Sequence, residues 1–301
     1  MTKRATRGHY HGYLVIDKAA GWTSHDVVGR VRRLLGERRV GHAGTLDPAA
    51  VGVLPIAVGL ATRTVEYLSE SRKAYVADVT FGVTTDSADI DGVVTGVAPA
   101  DHLTGEAVAT ALRGFEGDQM QVPPMHSAIK VGGERLYQLA RRGEAVEVAP
   151  RPVTIHRIEL RDWAPPVATI FVACSKGTYI RSLARDLGEA VGTGAYMSNL
   201  VRVQTGPFTL EDAVRVDELP DLLAQETWER IAYHPDAVLH DWPAIVVDAQ
   251  HAVFWRQGKS IPAAGARGHV RVYDASGEWL GVGRADDDGT LVQPVKVVAE
   301  E

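Results

Sequence analysis

The stretch GHAGTLDP, residues 41–48, decides how this sequence is interpreted. Gly41, Gly44 and Pro48 favour irregular backbone, so the segment is predicted to be a loop. Asp47 stands between a leucine and this proline, whose fixed φ restricts the loop that bears the carboxylate. Binding and catalytic residues often lie on such loops. From local features alone the commoner role is structural, in which Asp47 caps the next helix, because Asp before Pro is common where a helix begins.

The regions around this loop alternate between helical and strand patterns. A helix is predicted from the cap Thr23-Ser24 to Gly36, because apolar residues at 27, 28, 31, 34 and 35 share one face. Other predicted elements are a strand at 74–82, a helix from Thr104 to near Gly114, a short helix at 134–142 closed by Gly143, a strand at Val167–Cys174 and a helix at 182–190. Their irregular spacing argues against a doubly wound sheet and predicts a mixed α+β fold.

The pattern changes near Asp241. From there on, short apolar runs separated by glycine occur at 244–247, 269–273, 279–282 and 291–298. They predict a β-rich domain of about 60 residues, a size at which some domains fold alone. We therefore predict one large domain over residues 1–238 and a small one over 239–301, with a linker at 233–241 that contains Pro235.

Composition narrows the class of protein. The 301 residues include a single cysteine, Cys174, which excludes an internal disulfide framework and fits a reducing cytoplasm. The longest apolar stretch, residues 51–61, contains a proline and is too short to span a bilayer. The net charge is −6, but residues 1–45 hold nine Lys or Arg against three Asp or Glu. An excess of positive charge in the N-terminal segment suits a protein that binds a polyanion.

Several common motifs are absent from the sequence. It contains no Gly-x-Gly-x-x-Gly, no Walker-type phosphate loop, no His-Glu-x-x-His and no Gly-x-Ser-x-Gly. His9 and His11 are too few to form a metal site by themselves, and we expect them to be exposed to solvent. Neither a nucleotide cofactor nor a metal is therefore predicted.

A second informative segment is SKGTYIR, residues 175–181. If its chain is extended, Tyr179 and Arg181 point the same way, because alternate residues share a face. Arg181 could then hold a carboxylate with a two-pronged bond, or it could be an ordinary structural arginine. Tyr75, which follows Arg72 and Lys73, could stack on a base or pack in the core.

Six motifs follow one another along the chain in a characteristic order. They are GYLVIDK with GWTS (12–24), GHAGTLDP (41–48), KAY with TTDSAD (73–89), QVPPM with SAIK (121–130), GTYIRSLARDLG (177–188) and LVR with TG (200–206). Together they closely resemble the bacterial TruB family of tRNA pseudouridine synthases. The resemblance covers roughly residues 12–208, and His126 departs from it where a tyrosine is expected.

The resemblance implies a fold and a chemistry. It implies a catalytic domain of pseudouridine synthase type with a mixed, mainly antiparallel sheet, an RNA-gripping thumb at about 123–152 and a PUA-like C-terminal RNA-binding domain. Asp47 would catalyse the isomerisation of a uridine at position 55, in the T loop of tRNA, without cofactor or metal. Arg181 would pair with this carboxylate, and Tyr75 would pack on the target base. The uridine must be flipped out of its loop to reach them.

The resemblance also implies RNA contacts and partners. The residues matched to RNA or substrate contacts are Lys18, His42, Tyr179, Leu200, Lys130, Arg141 and Arg142. The expected partner is the T arm of tRNA, and we expect a cytoplasmic monomer without an obligate protein partner. Alternatives are a protein that folds tRNA, with or without catalysis, a guide-dependent relative that works in a ribonucleoprotein, and an unrelated hydrolase that uses Asp47.

Overall fold

The computed structural model describes residues 10–127, 129–142, 144 and 146–298. Its strands are β1 Gly12–Lys18, β2 Val40–His42, β3 Val51–Val58, β4 Lys73–Phe81, β5 Val83–Thr85, β6 Val94–Val97, β7 Gly117–Gln121, β8 Lys130–Val131, β9 Glu134–Arg135, β10 Arg151–Ala164, β11 Val167–Cys174, β12 Ala195–Thr205, β13 Phe208–Thr209, β14 Val214–Arg215, β15 Ala244–Val247, β16 Ile261–Pro262, β17 His269–Asp274, β18 Trp279–Ala285 and β19 Leu291–Val297. Its α-helices are α1 Ser24–Leu35, α2 Val65–Glu70, α3 Gly105–Arg113, α4 Leu136–Arg141, α5 Ile180–Ala190, α6 Leu219–Gln225, α7 Trp228–Ile231 and α8 Ala249–Arg256.

The larger sheet has ten strands and the main order β14-β1-β3-β12-β4-β11-β10-β7. Neighbouring strands are antiparallel except in the pairs β1–β14 and β3–β12. Strand β12 lies between β3, which follows the loop at 41–48, and β4, which contains Tyr75. This order brings segments that are distant in sequence to one place. The predicted α+β class with a mixed, mainly antiparallel sheet is confirmed.

Helix α1 follows its predicted boundaries. Thr23 caps it by accepting a hydrogen bond from the Asp26 amide at 3.1 Å, and Asp26 reciprocates. A cap of this type stabilises a helix by about 1 kcal/mol. Gly36 ends the helix in the left-handed conformation, with φ of 64°, which glycine adopts without strain. Val27, Val28 and Val31 are buried against the larger sheet as the stripe predicted.

Four predictions of local structure need correction. Gly41 and His42 belong to strand β2, so the loop begins later than predicted. The next element after Pro48 is strand β3, which begins at Val51, so Asp47 does not cap a helix and the predicted capping role is wrong. Helix α4 is shorter than the predicted 134–142, since Glu134 and Arg135 pair with β8, and Gly143 lies outside the described residues. Helix α5 begins at Ile180 and not at residue 182, which places Arg181 inside it.

The smaller sheet has the order β15-β17-β18-β19-β16. Helix α8 packs against it and places the fully buried Trp255 in its core, where the indole N–H donates to the Leu280 carbonyl at 2.8 Å. The sequence pattern predicted four of these strands but not β16 or this helix. Its buried face consists of Ala252 and Trp255, too few residues to produce a recognisable helical stripe.

The segment predicted as a linker is bonded to both sheets. Tyr233 exchanges two backbone hydrogen bonds with Tyr13 of β1. Asp236 is 6% exposed and accepts hydrogen bonds from Arg271, at 3.2 Å, and from Tyr273 of the smaller sheet. Residues 233–241 are therefore an ordered connection that is hydrogen-bonded to both sheets. Within the described chain, no helix combines the length and hydropathy needed to cross a membrane.

Candidate active site

The turn at residues 44–48 is held by hydrogen bonds to each of its carbonyl groups. Arg202 donates to Gly44 O and Thr45 O, Ser24 Oγ donates to Leu46 O, the Ala50 amide donates to Asp47 O, and Pro48 O accepts from the Gly21 amide and from Lys18 Nζ. Ser24 also accepts from the Leu46 amide at 2.9 Å. The backbone that presents Asp47 is therefore fixed independently of its carboxylate.

Lys18 is one of the groups that hold this turn. Its side chain is fully buried, and Nζ donates to the carbonyls of Ala19, Trp22 and Pro48 at 2.7–3.2 Å. Burial lowers the pKa of the Lys18 ammonium, and the nearby Asp47 carboxylate opposes this effect. Lys18 was matched to RNA contact, but in this structure its ammonium faces the protein interior. The contact of the Lys18 ammonium with the Pro48 carbonyl could not be predicted from the sequence.

The Asp47 carboxylate meets the guanidinium of Arg181. The distance from Asp47 Oδ2 to Arg181 Nη2 is 3.1 Å, and the Asp47 side chain is 41% exposed while that of Arg181 is 7% exposed. Desolvation raises the pKa of Asp47, and Arg181 is the main group that lowers it again. The ion pair thus favours an ionised carboxylate in a site that would otherwise disfavour it.

Arg181 also binds a second carboxylate, which sequence analysis missed. Its Nη1 lies 3.2 Å from Asp89 Oδ2, and its Nη2 donates to the His126 carbonyl at 2.9 Å. Asp89 is held in turn by Ser87 Oγ at 2.5 Å and by the Asp91 amide at 3.2 Å. The signal for Asp89 was present in the TTDSAD motif, but nothing local distinguished it from the neighbouring acids.

Tyr179 and Arg181 do not share an extended face, so that expectation was wrong. Tyr179 is the extended residue that precedes α5, and Arg181 lies in the first turn of the helix. The two backbone groups of Tyr179 bond to the Gln121 side chain, at 2.8 and 3.0 Å. This contact joins the start of α5 to the end of β7. The substrate contact to which Tyr179 was matched remains a prediction.

Tyr75 lies in β4, directly opposite Arg202 of β12. It is 9% exposed and belongs to the main core, and the Arg202 guanidinium acts electrostatically on its hydroxyl. Burial raises the pKa of Tyr75, and Arg202 opposes the rise. Of the two roles considered for this tyrosine, core packing describes its ring in this structure, while its hydroxyl lies among polar groups of the site.

Leu200 lines the cleft beside Asp47, and His42 precedes the turn in the chain. Leu200 of β12 lines a cleft together with Asp47, Asp89 and Met197. His42 ends β2, and its ring meets that of His25 edge-on at a centroid distance of 5.4 Å. The His42 Nδ1 is buried without a hydrogen-bond partner in the part of the chain described here. Burial lowers the pKa of His42, and His25 adds to this effect, so the neutral ring is favoured.

Comparison with known proteins gives this site a family. The family models for the N-terminal domain of TruB family pseudouridylate synthases, for the C-terminal domain of tRNA pseudouridylate synthase B and for the C-terminal region of pseudouridine synthase II TruB match residues 32–180, 181–241 and 243–298. The tRNA pseudouridine synthase B of Gloeobacter violaceus is 44% identical over 292 residues, covering 95% of this chain and 98% of the relative. The chain belongs to the TruB family. The predicted family and enzyme class, a pseudouridine synthase, are confirmed.

Other relatives agree with this membership. The tRNA pseudouridine synthase B of Symbiobacterium thermophilum is 51% identical over 244 residues, 80% of each chain, and that of Pseudomonas fluorescens is 40% identical over 301 residues, 98% of each. Among solved structures, an H/ACA ribonucleoprotein bound to a substrate RNA containing 2'-deoxyuridine has a chain that matches with a TM-score of 0.74 and 24% identity. The match covers 97% of this chain and 86% of the other, and it shows a shared fold.

The region predicted to be a thumb, about residues 123–152, connects two adjacent strands of the larger sheet. Strands β7 and β10 pair antiparallel, with Gln121 opposite Arg151, so the chain leaves and re-enters the sheet at one point. Lys130 lies in β8 and Arg141 ends α4, but their side chains lie outside the described part of the structure. Arg142 binds the carboxylates of Glu134 and Glu144, at 2.5 and 2.7 Å, which partly neutralises a cation matched to RNA contact.

No metal site is apparent in the described part of the chain. Within residues 10–127, 129–142, 144 and 146–298, no three His, Cys, Asp or Glu side chains gather closely enough to hold an ion. The chemically active groups around Asp47 are a carboxylate pair, a guanidinium and a phenol. Such groups can exchange protons, attack a carbon centre or stabilise a charge.

Proposed function

We propose that this chain isomerises a uridine in the T loop of tRNA, at position 55, to pseudouridine, and that Asp47 is the catalytic residue. The observation that carries the proposal is the Asp47 carboxylate, which is held by Arg181 at 3.1 Å on a turn whose carbonyls are all hydrogen-bonded. The tRNA substrate is suggested by the names of relatives that are 40–51% identical to this chain.

The reaction replaces a bond from the ribose C1′ to the base nitrogen with a bond to C5 of the same base. A proton leaves C5, a proton returns to the nitrogen, and no electrons are gained or lost overall. Ionised Asp47 could attack the sugar, attack the base or assist a sugar-derived intermediate. Arg181 keeps the carboxylate ionised and directed towards the cleft. The Tyr75 hydroxyl is a suitable acid–base group for the proton at C5.

A base inside a folded RNA loop cannot reach this carboxylate unless it leaves its stack, which costs a few kcal/mol. His42 is the residue we assign to the vacated space. Its pKa is lowered by burial, so a neutral ring enters the RNA loop and no charge must be desolvated. Leu200, which lines the cleft beside Asp47, would contact the flipped base on its apolar side.

We assign RNA binding to the thumb and to the domain that contains the smaller sheet. The thumb, about residues 123–152, contains Lys130, Arg141 and Arg142, and charges of this kind bind phosphates. Lys18 is reassigned from RNA contact to positioning of the catalytic turn, because its ammonium is buried under Pro48. We propose that residues 239–301 form a PUA-like RNA-binding domain and that the protein acts as a cytoplasmic monomer.

The test is incubation of the purified protein, without any guide RNA, with three substrates. They are an unmodified tRNA, an isolated T-arm stem-loop, and the same stem-loop with the target uridine replaced by cytidine, each followed by pseudouridine mapping. We expect a single modified position in the first two substrates and none in the third. Modification of the tRNA alone would refute recognition confined to the T arm. A reaction that needs an added guide RNA would assign the protein to the guide-dependent class.

A further inference from the structure

Arg202 is a buried cation that the sequence analysis did not select. It is 1% exposed, and its Nε donates to the Val53 carbonyl at 2.7 Å. Its two terminal nitrogens donate to Gly44 O at 3.1 Å and Thr45 O at 3.3 Å. No carboxylate in the described chain lies within ion-pair distance of it. A buried charge that has hydrogen bonds but no counter-ion is costly, so a hydrophobic residue would be expected here if packing alone mattered.

The second group that Arg202 contacts is Tyr75. The two residues are direct partners across β12 and β4, so their side chains lie on the same face of the sheet. The positive guanidinium favours the ionised form of the Tyr75 hydroxyl and so opposes the rise that burial causes in the pKa of Tyr75. Because arginine has no acceptor atom, it can act on this hydroxyl only as a cation or a donor.

Arg202 therefore joins two parts of the site that the chain itself keeps apart. One part is the turn that ends in Asp47, and the other is the phenol of Tyr75. A planar guanidinium offers several donors in fixed directions and can hold both parts at once, whereas the single ammonium of a lysine cannot. Displacement of a reacting group by about 1 Å can cost about 10²-fold in rate.

We propose that Arg202 is a positioning residue of the isomerisation, which sets the Asp47 turn and the Tyr75 hydroxyl in a fixed relative geometry. The inference rests on the proposed function, because it assigns Tyr75 and Asp47 to the same reaction. It predicts a loss of turnover without a loss of RNA affinity, since Arg202 is buried and cannot touch the RNA.

A nearby lysine supplies a matched control. Lys73 is 7% exposed, and the space beside Gly44 is bounded by both Arg202 Nη1 and Lys73 Cε. Its Nζ donates to the carbonyls of Ser69 and Ser71, at 2.6 and 2.7 Å, which lie outside the catalytic turn. Lys73→Met therefore removes a buried cation from the same region without removing a hydrogen bond to the turn or to Tyr75.

The experiment measures single-turnover rates and affinity for a T-arm stem-loop in Arg202→Lys, Arg202→Gln and Lys73→Met, each with and without Tyr75→Phe. Rates are taken below the melting temperature of every variant, so that folded protein is compared. We expect Arg202→Lys to react about 10²-fold more slowly with affinity within about twofold of wild type. In the Tyr75→Phe background, Arg202→Lys should lower the single-turnover rate by about tenfold or less. The loss is smaller because part of the effect of Arg202 acts through the Tyr75 hydroxyl, which this background lacks. Lys73→Met should change the rate equally in both backgrounds.

Three results would overturn the inference while the proposed function stands. They are a wild-type rate in both Arg202 variants, a fall in affinity that matches the fall in rate, and equal rate losses with and without Tyr75→Phe. Should Arg202→Lys fail to fold, Arg202→Gln provides the same comparison, because it keeps a donor without the charge. If the wild-type protein itself makes no pseudouridine, it is the proposed function that fails.

Discussion

Replacing Arg181 tests the electrostatic arrangement on which the proposed chemistry depends. Arg181 reaches Asp47 and Asp89 with different nitrogens, at 3.1 and 3.2 Å, and its side chain is 7% exposed. A lysine has one nitrogen and cannot hold both carboxylates in these positions. The Arg181→Lys variant should therefore keep a positive charge in the site but lose the direction of the Asp47 carboxylate.

The two ion pairs differ in what their loss should cost. The Asp89 side chain is 12% exposed, so its isolation in Arg181→Met resembles the breaking of a buried pair, which costs about 3–5 kcal/mol. The Asp47 side chain is 41% exposed, and solvent screening reduces its pair to about 0–1 kcal/mol. We expect Arg181→Met to lower the free energy of unfolding by about 3 kcal/mol. Arg181→Lys should cost about 1–2 kcal/mol, since one charged contact survives.

The effect on turnover follows from the pKa of Asp47. Desolvation raises this pKa and Arg181 opposes the rise, so removing the guanidinium lets the pKa climb further. The proposed chemistry needs the ionised carboxylate, and the acid limb of the pH–rate profile should therefore move to higher pH in Arg181→Met, and less in Arg181→Lys. At neutral pH we expect Arg181→Lys to be slower by about 10²-fold, the scale for one misdirected charged contact.

The assay follows tritium released from C5 of labelled uridine in a T-arm stem-loop, because the reaction frees this hydrogen. Melting temperature and RNA affinity are measured alongside. Arg113→Lys is the matched control, because Arg113 is exposed at the end of α3 and its side chain donates a hydrogen bond to Thr110 of the same helix. A lysine variant at position 181 with full turnover and an unshifted acid limb would show that Arg181 does not direct the carboxylate.

Three further predictions concern Asp47, Asp89 and the thumb. Asp47→Asn should reduce turnover by at least about 10³-fold with RNA affinity retained. A raised pKa means that the protonated carboxyl favours folding at low pH and that this stability is lost as the pH rises through the folded pKa. Asparagine resembles the neutral form, so Asp47→Asn should melt no lower than wild type at neutral pH, and a large fall in melting temperature would contradict this reasoning. Asp89→Asn should slow the reaction less than Asp47→Asn, because it removes the ion pair at Arg181 Nη1 but leaves the contact between Arg181 and Asp47. Equal loss of tritium release in the two variants would contradict this ranking. Deletion of residues 130–143 should leave the sheet folded, since β7 and β10 pair at the base of the thumb, and should flatten the salt dependence of RNA binding by about 2 units of slope. An unchanged slope in a filter-binding titration would remove the thumb from the RNA interface.

The sequence alone determined features that depend on near neighbours in the chain. The boundaries of α1 follow from a cap at Thr23, a buried stripe and a glycine end, all of which act within one helix. Strands β4 and β11 follow from alternation and from apolar runs. Asp47 was selected because its loop is visible in local composition, and the ordered motifs identified the family. Each of these signals lies within a short window of residues.

Only the tertiary structure decided how the functional groups meet. Asp89, Arg181 and Arg202 come from three separate segments, and the order of β3, β12 and β4 in the sheet brings them around one turn. A sequence pattern carries no information about such distances, so the second carboxylate and the buried cation could not be distinguished from ordinary charged residues. The role of Lys18 also depends on the tertiary structure. The resemblance matched Lys18 to RNA contact, but the fold buries its ammonium against three carbonyl groups. Partners in space, and not residue type, determine whether a charge binds RNA, holds a turn or directs a reaction.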